Sequence, residues 1–274
     1  MPEALVNGVR LHYEEWGQGE ETVVFSHSYL VDSRHFEPQI EALRDRFRVI
    51  AYDHRGHGRS EKVAAPFTME DIYADGVGLI ETLQLGAVHW VGLSTGGFVG
   101  MRIAARRPEL LRKLVLMDTS AAPEPRFNRV KYALMFAVVR RFGMGPTIGE
   151  AMKAMFGPQF LRDPARAEQR ARWRQIMLDG DVPSGMAFGN AIFTRDDQRP
   201  NLGRITVPTL VLHGECDRAV PPSKAQELAT AIHGARVELI PRGGHLCTIE
   251  EPDAVNRHLQ RFLAPSEAES DGSR

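Results

Sequence analysis

Cysteines and long apolar runs are both scarce in this sequence. Only two cysteines occur among 274 residues, which is too few for a disulfide framework. No apolar run approaches the roughly 18 residues that a membrane-spanning helix needs. The N-terminus has neither the basic start nor the apolar stretch of an export signal. We therefore expect a cytoplasmic protein that does not span a membrane and does not depend on disulfide bonds.

The sequence also lacks an excess of charge of either sign. It contains 34 Lys and Arg residues against 35 Asp and Glu residues, a formal net charge of -1. This balance argues against a protein built mainly to bind nucleic acid or an acidic membrane surface. At about 150 residues per domain, the length predicts one or two domains. A chain of this length buries enough surface to fold without a metal or disulfide.

Short apolar runs rich in β-branched residues recur along the chain, as expected for strands buried on both faces of a parallel sheet. These runs are residues 22–25, 48–52, 88–91, 113–117, 208–212 and 237–240. Before them, Asn7-Gly8 predicts a hairpin of two antiparallel strands. Between them lie segments with helical spacing, one of which is predicted to begin at Thr68 and end near Gly86. This alternation predicts an α/β fold with a mostly parallel, doubly wound sheet.

One long segment, residues 121–203, interrupts the alternation. It contains no strand-like run, six of the ten methionines, and 13 basic against 8 acidic residues. We interpret it as a helical cap inserted between the sixth and seventh strands of a core formed by 1–120 and 204–263. Methionines make a deformable wall that suits an apolar ligand. Residues 264–274 have no core-forming side chains and are predicted to form a disordered tail.

The motif that carries most chemical information is Gly92-Leu93-Ser94-Thr95-Gly96. It lies between a predicted buried strand and a predicted helix. In that context a serine occupies a sharp, strained turn, and the flanking glycines let strand and helix approach closely. The turn raises the hydroxyl above the sheet beside a helix N-terminus, which favours negative charge. Ser94 is therefore the predicted nucleophile.

A serine nucleophile needs a base, and the base needs an orienting acid. Among ten histidines, His245 follows the last predicted strand in Gly243-Gly244-His245, where its loop reaches the carboxyl edge of the sheet. Asp217 follows the preceding strand, and the order Ser, Asp, His is the one that an α/β-hydrolase requires. Asp118, after the sixth strand, is the alternative acid, and Glu215 is less suitable.

Two backbone amides are predicted to form the oxyanion hole. Thr95, the residue after the nucleophile, supplies one amide. The loop after the first parallel strand supplies the other, for which Tyr29 is the candidate.

The sequence resembles the α/β-hydrolase superfamily over about residues 5–263. The motifs that carry the resemblance are His27-Ser28-Tyr29, the turn Asp53–Ser60, Gly92–Gly97 and the pair Asp217 and His245. Within the superfamily it is similar to esterases, enol-lactonases and cofactor-free haloperoxidase-like perhydrolases. Many relatives have His-Gly where this chain has His27-Ser28. The resemblance implies a structural, non-catalytic role for the Asp53–Ser60 turn.

Other chemistries have less support. A serine nucleophile sets the chain apart from dehalogenases and epoxide hydrolases, which use aspartate. No zinc-ligand spacing and no dinucleotide-binding Gly-x-Gly-x-x-Gly follow the expected strands, so we expect no metal and no cofactor. Cys216 and Cys247 each lie near a predicted triad residue, and a cytosolic setting disfavours a disulfide between them.

The sequence thus predicts a serine hydrolase that acts on a small-molecule carboxylic ester or lactone. A carbon–carbon bond hydrolase and a perhydrolase use the same triad and remain alternatives. A third alternative from another class is a ligand receptor with the hydrolase fold. The apolar cap favours a modest apolar acyl or alcohol group, and its basic excess favours tolerance of an anionic one.

Overall fold

A single eight-stranded sheet forms the centre of the computed structural model, which describes residues 2–264. The predicted tail, apart from Ala264, lies outside the described residues. The strands are β1 (Glu3–Val6), β2 (Val9–Trp16), β3 (Thr22–Ser26), β4 (Arg48–Tyr52), β5 (Val88–Leu93), β6 (Leu111–Met117), β7 (Thr209–Gly214) and β8 (Arg236–Ile240). Their spatial order is β1-β2-β4-β3-β5-β6-β7-β8. All six predicted strands are present, and the predicted fold class is confirmed. The expected burial on both faces is wrong for β8, because it lies at the edge of the sheet and only its Ile240 is buried.

Eleven α-helices accompany the sheet within residues 2–264. They are α1 (Glu37–Leu43), α2 (Met69–Thr82), α3 (Thr95–Arg106), α4 (Arg126–Phe142), α5 (Ile148–Met155), α6 (Pro158–Arg162), α7 (Ala167–Leu178), α8 (Val182–Phe193), α9 (Ser223–Ala231), α10 (Cys247–Glu250) and α11 (Pro252–Leu263). In this part of the chain no helix is long and apolar enough to cross a membrane.

Local sequence signals account for several of these boundaries. Asn7 and Gly8 both have positive φ, 49° and 78°, and they connect β1 to β2 as an antiparallel hairpin. Thr68 caps α2, because its side chain accepts from the Asp71 amide while the Asp71 carboxylate accepts from the Thr68 amide. This reciprocal capping gives hydrogen-bond acceptors to two backbone amides that have none within the helix. The predicted hairpin and helix start are therefore confirmed.

The sheet is parallel from β4 to β8, and its central strands are buried on both faces. All six residues of β5 are buried. Side chains alternate between the two faces of a strand, so Val24 and Trp90 pack in one hydrophobic cluster while Val23 and Val91 pack in the other. This two-sided burial explains why the strands read as continuous apolar runs.

Between β6 and β7 the described chain forms helices α4 to α8 and no strand. The two ends of this segment pack differently. Phe156 and Trp173 belong to the cluster beneath α1 and α11, whereas Phe188 of α8 packs in the cluster on the other face of the sheet. We refer to residues 121–203 as the cap; its boundaries as a separate domain stay a prediction.

Candidate active site

Ser94 lies on a strained turn between β5 and α3. Its backbone φ is 53° and ψ is -103°, a conformation that costs a non-glycine residue about 1–3 kcal/mol. Glycines make the turn possible. A Cβ on Gly92 would collide with the Gly96 carbonyl, and a Cβ on Gly96 would collide with the Ser26 carbonyl. The two glycines of the motif therefore have the steric role that the sequence predicts.

Hydrogen bonds from neighbouring strands hold this turn in place. The Ser94 amide donates to the Met117 carbonyl over 2.8 Å, and the Thr119 hydroxyl donates to the Ser94 carbonyl over 2.8 Å. The Trp90 indole N–H donates to the Gly96 carbonyl over 3.0 Å. These bonds fix the backbone around Ser94 while its hydroxyl stays at the carboxyl edge of β5.

His245 and Asp217 meet at the same edge of the sheet. The Nδ1 atom of His245 lies 2.8 Å from Oδ2 of Asp217. The other carboxylate oxygen, Oδ1, accepts from the amides of Ala219 and Val220 over 2.8 and 2.9 Å. Both side chains are buried. The structure therefore brings together the predicted base and the predicted orienting acid.

The charges of this pair support each other. Burial opposes ionisation of Asp217, but His245 and the hydrogen bonds to the carboxylate lower its pKa to about 2. Burial likewise opposes protonation of His245, but the Asp217 carboxylate has a larger effect than burial. The pKa of His245 is therefore raised. The acid is therefore ionised at neutral pH and favours a protonated imidazole.

A second buried histidine, His213, contacts the same carboxylate and was not predicted from the sequence. Its Nε2 lies 3.4 Å from Oδ2 of Asp217 and 2.9 Å from the Val220 carbonyl. Burial opposes its protonation, but the hydrogen bond to Asp217 and the charge of Asp118 raise its pKa to about 9. His213 is thus a second imidazole held against the Asp217 carboxylate.

Asp118, the alternative acid, has other partners. Its Oδ1 accepts from the Gly214 amide over 2.7 Å, and its Oδ2 accepts from the Cys247 thiol over 2.9 Å. Burial raises its pKa to about 6. Glu215, the other candidate, is exposed. Both Cys216 and Cys247 are free thiols.

The amides of Tyr29 and Thr95 are placed at the ends of β3 and β5. Thr95 is the first residue of α3, so its amide has no acceptor within the helix. Within residues 2–264 neither amide donates a hydrogen bond. The Tyr29 hydroxyl donates to the Gly185 carbonyl of the cap over 2.9 Å. The side chain of Tyr29 thus ties its loop to α8 while the amide stays available.

The Asp53–Ser60 turn is held by its own carboxylate. The two oxygens of Asp53 accept from the amides of Ser33 and Arg59, each over 2.9 Å. The Ser60 hydroxyl donates to the Asp53 carbonyl over 2.6 Å. These are backbone-organising contacts, the kind that the resemblance implies.

Glu250 is a buried carboxyl that the sequence did not reveal. One oxygen accepts from the Gly244 amide over 3.0 Å, next to His245, and the other accepts from the Gly157 amide of the cap over 2.8 Å. Burial raises its pKa to about 8. The Leu246 amide also donates to the Met155 carbonyl over 3.0 Å. The loop that bears His245 is therefore bound to the cap.

Three residues could together offer ligands to a cation. Asp118, His213 and Asp217 each have a ligand-type atom within 4.8 Å of the others. All four oxygens of the two carboxylates already interact with donors of the protein. The geometry thus favours an internal hydrogen-bond network at this position over a cation site.

Comparison with known proteins gives a consistent result. The model of the alpha/beta hydrolase family matches residues 23–258. The 3-oxoadipate enol-lactonase 2 of Acinetobacter baylyi is 28% identical over 260 residues, covering 93% of each chain. The enol-lactonase of Burkholderia xenovorans LB400 superimposes with a TM-score of 0.89 at 32% identity, covering 96% of this chain and 99% of that one. A thermophilic esterase of Thermogutta terrifontis reaches 0.88 at 29% identity, covering 96% and 97%.

Proposed function

The chain belongs to the alpha/beta hydrolase family, and from that premise we propose that it cleaves a carboxylic ester or lactone through an acyl-enzyme on Ser94. The observation that carries this proposal is the 2.8 Å contact between His245 Nδ1 and Asp217 Oδ2 at the edge where the strained Ser94 turn ends β5. A nucleophile, a base and an orienting acid are the three groups that acyl transfer needs.

In the proposed mechanism, His245 takes the proton of the Ser94 hydroxyl as its oxygen attacks the acyl carbon. The resulting oxyanion accepts hydrogen bonds from the amides of Tyr29 and Thr95. Each such donor is typically worth about 3 kcal/mol of transition-state stabilisation. The imidazolium returns its proton to the leaving alkoxide, and Asp217 stabilises the cation throughout. Water, deprotonated by His245, then releases the carboxylic acid and restores Ser94.

Aromatic rings between the oxyanion loop and the cap support an apolar substrate group. The Tyr29 ring stacks on Phe188 at 6.1 Å and meets Phe193 edge-on at 6.3 Å. His57 lies edge-on to Phe188 at 4.3 Å, and burial lowers its pKa to about 3, so this imidazole is neutral at physiological pH. These neutral rings make the packing between the oxyanion loop and the cap apolar, which favours an acyl or alcohol group of modest size. The enol-lactonase names of two similar proteins favour including lactones among the substrates.

The experiment that tests the proposal compares initial rates on p-nitrophenyl esters of increasing chain length and on γ-butyrolactones. Ser94→Ala should lose nearly all turnover, at least about a thousandfold in kcat, with its thermal unfolding still cooperative. Ser223→Ala, at an exposed serine of α9, is the matched control and should retain the wild-type rate. A fluorophosphonate should label wild type on Ser94 and leave Ser94→Ala unlabelled.

Three other results would redirect the proposal. Wild-type turnover in Ser94→Ala would remove Ser94 from the mechanism. Labelling of Ser94 without turnover of any ester or lactone would favour carbon–carbon cleavage or peracid formation, which use the same triad. A single stoichiometric acylation without turnover would favour a receptor.

A further inference from the structure

The outer side of helix α4 carries an apolar stripe that the protein itself leaves uncovered. Side chains that recur three or four positions apart lie on one side of a helix. At 100° per residue, the five side chains of this stripe span an arc of about 120°. They are 37% to 77% exposed. We call them the α4 stripe: Phe127, Val130, Leu134, Val138 and Phe142. Only two other large apolar side chains of the described chain are exposed.

The inner side of the same helix is already packed. Val139 is buried, and Tyr132 stacks on Phe193 of α8 at 3.7 Å between ring centroids. Phe136 lies 5.9 Å from the same ring. Because the inner side anchors the helix to the cap, the α4 stripe faces outward and no other part of residues 2–264 covers it. Its apolar area calls for an external partner.

The charge of the helix identifies the kind of partner. Its 17 residues contain five Lys and Arg residues and no Asp or Glu residue. Lys131, Arg140 and Arg141 are exposed, and none of the three forms a salt bridge within the described chain. The Arg141 guanidinium lies 5.2 Å from the centre of the Phe142 ring. Cationic heads next to exposed apolar side chains are typical of helices that lie in a membrane interface.

We propose that the α4 stripe docks on a lipid surface that carries anionic headgroups. The apolar side chains enter the boundary between headgroups and acyl chains, and the flexible Lys and Arg side chains reach the lipid phosphates. A second copy of the chain is a poorer partner. A twofold interface would place this helix against itself, so its basic residues would repel each other with no acidic residue of α4 to compensate.

The test is co-sedimentation of the full-length protein with vesicles of phosphatidylcholine, alone or mixed equally with phosphatidylglycerol. Wild type should bind the mixed vesicles more tightly than the neutral ones. Leu134→Asn should weaken binding to the mixed vesicles by about tenfold, because it removes one exposed apolar side chain that would be buried in the lipid. Lys131→Gln/Arg141→Gln, which removes the two cations on the same side of the helix as the stripe, should weaken it by about thirtyfold there, with little change on neutral vesicles.

Leu5→Asn is the matched control, since Leu5 in β1 is 68% exposed against 66% for Leu134. It should bind vesicles like wild type. Thermal unfolding of all variants serves as the folding control, and the binding assay needs no catalytic activity. Equal vesicle binding by Leu134→Asn and Leu5→Asn, or no wild-type binding at all, would overturn the proposal. A dimer that forms without lipid and dissociates in Leu134→Asn would overturn it in favour of a second copy.

Discussion

The Cys247 thiol donates a hydrogen bond to Oδ2 of Asp118 over 2.9 Å, and this contact separates two buried acids that the sequence leaves as alternatives. Each oxygen of Asp118 accepts a hydrogen bond, one from Cys247 and one from the Gly214 amide. Asp217 instead has its Oδ2 2.8 Å from His245 Nδ1 and 3.4 Å from His213 Nε2. The two carboxyls also differ electrostatically, because the pKa of Asp118 is raised to about 6 while that of Asp217 is lowered to about 2. Only Asp217 is positioned to hold the imidazole.

Replacing each acid by its amide should therefore have unequal effects on catalysis. Asp217→Asn preserves the shape but removes the charge that stabilises the imidazolium and fixes its tautomer, so kcat should fall by about 10³ to 10⁴. Asp118→Asn should lower kcat less than about tenfold. The measurement is kcat on a p-nitrophenyl ester at a pH above the acid limb. A larger loss in Asp118→Asn would reverse the assignment of the orienting acid.

The pH profile should show the raised pKa of His245. In the proposed mechanism the imidazole must be neutral to accept the Ser94 proton, and the Asp217 carboxylate raises its pKa above the ordinary 6.5. The acid limb of kcat/KM should thus have its midpoint above pH 6.5, with activity rising as pH increases. In Asp217→Asn the residual activity should show a midpoint shifted to lower pH. An acid limb below pH 6.5 in wild type would contradict this account of the electrostatics.

The sequence predicts the sheet well for a physical reason. Strands buried on both faces must be apolar throughout, and β4, Arg48–Tyr52, has the same limits as the predicted run. The Ser94 turn is equally readable, because only glycine fits where Gly92 and Gly96 approach other backbone atoms. His245 and Asp217 follow from chain order and from the edge that parallel strands share.

The residues that the sequence does not reveal act through long-range contacts. His213 lies in β7 directly after the apolar run 208–212, where nothing local distinguishes it from a packed histidine. Glu250 reads as one of several acids near the C-terminus, and its burial depends on the cap segment at Gly157, 93 positions away. The α4 stripe is the converse case, since its side chains are apolar and yet lie exposed. Such features depend on tertiary packing that no local pattern records.

Glu250→Gln should slow catalysis without contacting substrate. The Glu250 carboxyl accepts hydrogen bonds from the backbone N–H groups of Gly157 and Gly244. The NH₂ group of a glutamine would face one of these two N–H groups and could not accept its hydrogen bond. Because Gly244 precedes His245, we expect kcat to fall about tenfold to a hundredfold with a smaller change in KM. Glu251→Gln, which removes only an exposed salt bridge to Arg242, is the control and should retain the wild-type kcat. Equal kcat values in Glu250→Gln and Glu251→Gln would show that Glu250 does not influence catalysis.

His213 should make the folded state less stable at alkaline pH. Its pKa is raised from 6.5 to about 9, so the folded state holds the proton more tightly than the unfolded chain. The resulting stabilisation is complete below pH 6.5 and is lost as the pH rises through 9, a change of about 3 kcal/mol. Urea unfolding of wild type and His213→Gln at several pH values should show the free energies of unfolding converging across this interval. A pH-independent difference between them would contradict it.

The strain at Ser94 gives a prediction about stability that is independent of substrate. Replacing alanine by glycine normally destabilises a folded protein, because glycine gains backbone freedom in the unfolded chain. At Ser94, with φ of 53°, glycine removes strain of about 1–3 kcal/mol that alanine retains. Ser94→Gly should therefore be more stable than Ser94→Ala by about 1 kcal/mol, and we expect both variants to be inactive. Ala171→Gly, at an exposed position inside α7, should show the ordinary sign and lose about 1 kcal/mol. If Ser94→Gly unfolds at lower urea concentration than Ser94→Ala, the strain at the turn is smaller than the cost of the backbone freedom that glycine gains in the unfolded chain, and the prediction is wrong.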